Sequence, residues 1–155
     1  MKTAPRQRGE VRLSLPATVE SLRRVRHAVE GFAEALDAPA DTIANIKIAV
    51  TEACSNVVVH AYPDHVGVVE VEAKYESEQL VVWVRDFGRG ITQPSDRPGL
   101  GIGLSLMSTV SDVFEAYPGF LRGTTVVMRF DLDGGGGAPP RRRQQGEQAD
   151  ESSPS

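Results

Sequence analysis

Ile43-Ala-Asn-Ile46-Lys-Ile-Ala-Val50-Thr-Glu52-Ala53-Cys54-Ser-Asn56-Val57-Val-Val-His60-Ala61-Tyr62 is the stretch around which the rest of the chain is arranged. Ile43, Ile46, Val50, Ala53 and Val57 recur at three- and four-residue steps and make one apolar stripe of a helix. Glu52, Asn56 and His60 fall on another face, each one turn from the next. A carboxylate and an amide one turn apart, on a helix apolar enough to be buried, have to face a partner group, trapped water, or a ligand with its metal. The helix is expected to end near Ala61, ahead of Tyr62-Pro63-Asp64.

Working outward, Val11–Leu15 reads as a short strand, and Pro16 as the start of a helix with Val19, Leu22, Val25, Val29, Phe32 and Leu36 at helical steps. Arg23, Arg24 and Arg26 make its outer face basic, either as a solvated face or as a docking surface for an acidic partner. Asp37-Ala38-Pro39 breaks the run. Val66–Tyr75 and Leu80–Arg85 are strand-like runs joined by Glu76-Ser77-Glu78-Gln79, a hairpin. Val69, Val71 and Ala73 alternate with Glu70, Glu72 and Lys74, as a sheet with one wet face requires, and Val82 and Val84 continue the apolar set. Trp83 reads as sheet surface or helix packing. Asp86-Phe87-Gly88-Arg89-Gly90 is a flexible exit from a strand, and Ile91–Pro98 follows as a connecting segment. Gly99-Leu100-Gly101-Ile102-Gly103-Leu104 opens a helix reaching about Asp112, with Ile102, Leu106, Met107 and Val110 as its apolar side. Val113–Tyr117 and Thr124–Leu132 complete the strands, around a turn at Pro118-Gly119.

The chain has 155 residues, 40% of them hydrophobic, which suits one domain with one core. Three segments are expected: a disordered start over residues 1–10, a folded domain over 11–132, and a disordered Gly/Pro/Arg/Ser-rich tail over 133–155. Residues 1–10 are polar and basic, unlike a signal peptide, and no run of about eighteen apolar residues occurs. The expectation is a cytoplasmic protein without membrane contact. Cys54 stands alone among apolar neighbours, consistent with a reducing compartment and a packing role. A net charge of −4 with no sustained basic face argues against nucleic acid as a partner.

Three features converge on one ligand class. The glycine run at a helix start exposes backbone N–H groups at the positive end of the dipole, where phosphate binds; it is not a P-loop, since no Gly-Lys-Ser/Thr follows, nor the dinucleotide fingerprint, since Leu104 stands where a third glycine is required. Asp86 ends a strand beside two glycines, so its carboxylate can face a cleft. Asn56 offers a hard oxygen suited to Mg²⁺, and Glu52 can polarise a hydroxyl. Each has a plainer reading when taken alone: a turn-stabilising aspartate, a tight helix entry, a satisfied buried pair. One histidine and one carboxylate are too few ligands for zinc.

In this order and spacing the features resemble the nucleotide-binding motifs of the GHKL (Bergerat-fold) ATPases, and most of all the anti-sigma-factor serine kinases of the RsbW and SpoIIAB type. Thr51 to Tyr62 looks like the N-box, Asp86-Phe87-Gly88-Arg89-Gly90 like the Asp-x-Gly-x-Gly box, Gly99 to Leu104 like the second glycine box, and Arg122-Gly123-Thr124-Thr125 like the closing Gly-Thr motif. The likeness covers residues 11–132. It implies an ATP site in which Asn56 binds Mg²⁺, Asp86 accepts a hydrogen bond from the adenine amino group, and Thr124 assists through water. Gly88 and Gly90 would shape that loop, while Gly99, Gly101, Ile102, Gly103 and Leu104 would form the phosphate-facing run. Glu52 would be the general base, Arg97 would stand near the γ-phosphate, and Arg24 would grip protein partners. The pattern implies a homodimer with a sigma factor and a STAS-domain anti-anti-sigma protein as partners. The segment Ile91–Pro98 is shorter than the usual ATP lid of these kinases.

The expected fold is thus a two-layer α/β (α+β) sandwich, the Bergerat ATP-binding fold, with a mixed, mainly antiparallel sheet and helices on one face. The expected function is an ATP-dependent protein-serine kinase and anti-sigma factor. Its rivals are an ATP-binding partner-switching module without kinase activity and, lower, a detached histidine-kinase catalytic domain, from which the lack of a preceding phosphoacceptor helix pair argues away. An α/β domain with no nucleotide is the plainest alternative.

Overall fold

The computed structural model describes residues 9–90 and 100–133, with the backbone alone described for 100–104. The segments 1–8, 91–99 and 134–155, which include most of the two ends expected to be disordered, the short lid, Arg97 and Gly99, lie outside the described residues, while Glu10, placed in the disordered start by the sequence, opens the first strand.

Among the described residues, five strands and three α-helices follow one another as β1 (Glu10–Pro16), α1 (Val19–Ala35), α2 (Ala40–Asn56), β2 (Val68–Glu76), β3 (Gln79–Asp86), α3 (Leu100–Val110), β4 (Val113–Pro118) and β5 (Thr124–Asp131). The strands form one sheet in the order β1-β2-β3-β5-β4, and every pairing is antiparallel. Register explains the two faces. Leu13, Val71, Val84 and Val126 pair in sequence across four strands, and Val11, Leu15, Val69, Ala73, Val82 and Met128, two steps away on those strands, extend the same apolar side. That side joins Val25, Val29, Ile46, Val50, Ala53 and Met107 of the helices in one core. The helices cover this face side by side, α1 packing on α2 and β1, α2 on α3, β3 and β5, and α3 on β4. The opposite face carries Arg12, Glu72, Trp83 and Val127 in matching register. There Lys74 Nζ stands 2.6 Å and Arg12 3.4 Å from one Glu72 oxygen, with Arg85 3.3 Å from the other, and Lys74 lies over the Trp83 ring at 5.9 Å. Long charged side chains thus close over the wet face.

Local chemistry sets the element ends. Pro16 does not begin a helix as the sequence suggests; it closes β1 opposite Val68, and Thr18, extended, caps α1 by accepting the Ser21 N–H at 3.4 Å. Val19, counted with the core stripe, is consequently 71% exposed. At the other end Ala38 N bonds to Ala33 O and Asp37 N to Glu34 O, with Asp37 left-handed at φ 56°, a Schellman closure built on aspartate. The β2–β3 hairpin turns through Ser77 and Glu78, both at positive φ, the two-residue geometry that matches strand twist.

The central helix holds Ile46, Val50, Ala53 and Val57 buried, as its stripe requires. Its helical course does reach Ala61, but Val57–Ala61 is a widened π-helical turn rather than a regular end. By length and composition alone the stretch Ala40–Ala61 could cross a membrane; packed against α1, α3 and the sheet, it serves as the core helix of the domain.

Candidate functional site

Asp86 belongs by register to the apolar, helix-facing side of the sheet: it pairs with Val69, which pairs with Leu15. It is 8% exposed, and a carboxylate there has to be hydrogen-bonded. Its Oδ1 accepts the Gly88 N–H at 3.0 Å. Thr124, 6% exposed, stands on the same side of β5, one step beyond the pair Arg85 and Thr125. Gly123 closes the gap between them. A Cβ on Gly123 would lie 1.9 Å from the Asp86 carbonyl oxygen and 2.8 Å from Oδ1, and its φ of +78° also demands glycine. The sequence places Asp86 and Thr124 in distant motifs; the antiparallel pairing of β3 with β5 makes them neighbours.

The aspartate loop is also fastened to the end of the central helix. Gly88 packs so closely on Ala61 that a Cβ would lie 2.0 Å from the Ala61 carbonyl oxygen. Arg89 donates its backbone N–H to Ala61 O and its Nε–H to His60 O, both at 3.0 Å. These carbonyls belong to the last turn of a helix and have no partner further along it. Tyr62 Oη accepts the Phe87 N–H at 2.9 Å and donates to Val68 O at 2.6 Å.

Glu52 and Asn56 are both half-buried on α2. Glu52 stands in the wall of an open groove of about 620 Å³ between α1 and α2, with Thr51, Lys47 and Ile48 beside it, Leu106 of α3 at its margin, and Arg23, Arg26, His27 and Glu30 of α1 opposite. Lys47 Nζ bonds Glu30 at 3.0 Å across the groove. Arg24, exposed on α1, is not among the lining residues, whereas Arg23 and Arg26 of the same basic run are. Gly101, Ile102, Gly103 and Leu104 fall within the first turns of α3, whose opening N–H groups lack intrahelical partners. Cys54 is buried in the core, its thiol pushed up to about 12 by desolvation, which leaves it inert.

Among the described residues no group of three or more His, Cys, Asp or Glu side chains is placed to hold a metal. A site offering the Asn56 amide oxygen fits Mg²⁺, which keeps its waters and leans on one or two protein oxygens together with phosphates, and does not fit zinc.

Residues 15–130 match the model of the histidine kinase-like ATPase domain. The chain belongs to that family. Among its relatives, the anti-sigma F factor of Lysinibacillus sphaericus is 34% identical over 129 residues, 76% of this chain and 88% of the relative. That of Clostridium kluyveri is 32% identical over 121 residues, 71% of this chain and 84% of the relative. The solved structure of the RsbU and RsbW domains of Rv1364c from Mycobacterium tuberculosis superposes with a TM-score of 0.66 at 24% identity, over 80% of this chain. This chain spans 32% of that one, and the likeness concerns the fold.

Sequence reasoning gave no individual role to His27, Tyr62 or Arg89, which the structure places in the groove wall and around the aspartate loop. His27 had a signal, being one turn from Arg23 on the same face of α1. Tyr62 had a weaker one in Gly67, whose missing side chain makes room for the phenol: a Cβ there would lie 2.1 Å from the ring. Arg89 had none, since its value lies in which carbonyls the π-helical turn presents.

Proposed function

We propose that the chain is an ATP-dependent protein-serine kinase that acts as an anti-sigma factor, holding a sigma factor and phosphorylating a STAS-domain antagonist. The observation that carries this reading is the position of Glu52. It is half-buried on the helix that ends in Asn56, and it opens onto a groove whose far wall bears Arg23, Arg26 and His27. A base that only held water beside a nucleotide would need no groove leading to it; one that receives a protein hydroxyl does. The family supports the ATP site, and the names of the relatives support the anti-sigma role.

In this reading Asp86 receives the adenine amino group, Thr124 completes that end through water, and the opening N–H groups of α3 face the phosphates. Mg²⁺, when bound, neutralises phosphate charge, with Asn56 as its protein ligand. Glu52 takes the proton of the attacking serine hydroxyl. The serine oxygen bonds to the γ-phosphorus as the bond from that phosphorus to the β–γ bridging oxygen breaks, and ADP leaves with the electron pair. The cations of α1 draw in an acidic segment of the partner, and Arg24 extends that basic surface. A cytoplasmic homodimer is the proposed working form.

Intact-mass measurement of a STAS-domain protein after incubation with the chain and Mg-ATP is the test. The expected result is one added phosphoryl group. General-base catalysis is commonly worth about 10²–10⁴-fold, so Glu52→Ala should reduce transfer by that order while Mg-ATP still binds. ATP binding without transfer to any STAS candidate would leave an ATP-gated partner-switching module in place of a kinase.

A further inference from the structure

The loop that carries Asp86 and the helix that carries Asn56 are stitched together by two side chains with no part in the chemistry above. Tyr62 leaves the helix directly after the π-helical turn, with its ring over Gly67 and edge-on to His65 at a centroid distance of 5.3 Å. Its hydroxyl makes two hydrogen bonds, to Val68 O at the start of β2 and from Phe87 N, the residue after Asp86. Arg89 grips the same turn from the loop, through its backbone N–H to Ala61 O and its Nε–H to His60 O. Asp86 thus sits in a loop with one bond to the tyrosine and two to the end of the helix. His60 and Ala61 belong to the π-helical turn that directly follows Asn56, and Tyr62 comes next after that turn.

We propose that Tyr62 and Arg89 are positioning residues that make base recognition at Asp86 and metal-phosphate binding at Asn56 cooperative. The inference rests on the nucleotide reading above. A shift of the helix end on binding Mg²⁺ and phosphates moves Ala61 and His60, and through Arg89 and Tyr62 it moves Phe87 and Gly88, whose N–H holds the Asp86 carboxylate. Favouring the bound position at one end therefore favours it at the other. Adenine preference and the Mg²⁺-dependent gain in affinity should both pass through these hydrogen bonds.

Tyr62→Phe keeps the ring over Gly67 and loses both hydroxyl bonds; Arg89→Leu, at an exposed position, loses the bond to His60 and keeps the backbone bond to Ala61. Calorimetric titration of wild type and each variant with ATP and GTP, with Mg²⁺ and with EDTA, yields two ratios: ATP over GTP, and Mg²⁺ over EDTA. We expect each variant to weaken Mg-ATP binding about tenfold and GTP binding far less. The gain from Mg²⁺ should shrink in both, and Arg89→Lys, still able to donate to His60 O, should recover part of it. A purely structural role would lower the melting temperature and leave both ratios at their wild-type values, which would overturn the proposal. If Tyr62→Phe fails to fold, Arg89→Leu decides by the same ratios. Absence of saturable Mg-ATP binding by the wild type would instead bring down the nucleotide reading itself.

Discussion

Gly123→Ala tests the geometry of the site most directly, because the structure fixes both reasons why it should fail. At φ +78° an L residue costs about 1–2 kcal/mol relative to glycine. The new Cβ would stand 1.9 Å from the Asp86 carbonyl oxygen, where real contacts keep to 3.0 Å, so one of two backbone segments must move by roughly an ångström. Gly123 O accepts the Gly119 N–H at 3.0 Å and Asp86 is paired with Val69, so either movement disturbs a hydrogen bond worth about 1 kcal/mol. The total is about 2–4 kcal/mol of stability, a fall of about 10 °C in melting temperature for a domain of this size. Because the carboxylate is itself displaced, adenine nucleotide affinity should drop at least tenfold at temperatures where the variant remains folded. Gly31→Ala is the matched control: a Cβ there meets nothing within 4 Å in the middle of α1, and relief of helix glycine should stabilise by about 0.5–1 kcal/mol. Thermal melts and nucleotide titrations of both variants are sufficient. If Gly123→Ala melts and binds like the wild type, Gly123 does not lie against Asp86 and the adenine end has been assembled wrongly.

Asp86→Asn preserves shape and removes a charged acceptor, so it should weaken ATP binding by about 1.5–3 kcal/mol, roughly tenfold or more; equal affinity by calorimetry with an intact melt would remove Asp86 from the site. Asn56→Ala should abolish the Mg²⁺-dependent part of ATP affinity and change binding in EDTA much less, whereas equal loss in both conditions would make Asn56 a packing residue. On the wet face, the carboxyl of Glu72 is held below its ordinary 4.5, first by the hydrogen bond from Lys74, with Arg85 and the charges of Lys74 and Arg12 adding and burial opposing. A depressed carboxylate stabilises the fold above its unfolded value and loses that contribution as pH falls through its folded value. The stability difference between wild type and Glu72→Gln, from denaturant melts, should therefore hold constant down to about pH 5 and shrink below it; a constant difference to pH 3 would mean the cluster contributes nothing through ionisation.

Much of this architecture is written in periodicity. The alternation of Val69, Val71 and Ala73 with Glu70, Glu72 and Lys74 assigns the faces of β2, and in an antiparallel sheet that assignment carries to its neighbours by register. The stripe of α2 is legible for the same reason, one burial surface repeating every turn. Ends are harder, since they depend on competition between local signals. Pro16 is compatible with a helix start, but the chance to extend the ladder opposite Val68 decides for the strand. The π-helical turn is not legible at all. The carbonyls of His60 and Ala61 in that turn are met by Arg89, which is brought there only by the return of β3.

The proposed location of the adenine end follows from the same registers. Along β3 the helix-facing side runs Leu80, Val82, Val84, Asp86, and along β5, in the opposite direction, it runs Phe130, Met128, Val126, Thr124. Both rows are apolar for three residues and turn polar at the fourth, at the same end of the sheet. An isolated change of this kind costs desolvation energy unless the buried groups are hydrogen-bonded, as Asp86 is by the Gly88 N–H. Two adjacent strands change together, where glycine is required to keep them in contact, and it is at this polar end of the core face that adenine is proposed to bind. Asn56 closes α2 ahead of the π-helical turn that abuts the aspartate loop, so the helix that organises the core also delimits the proposed site.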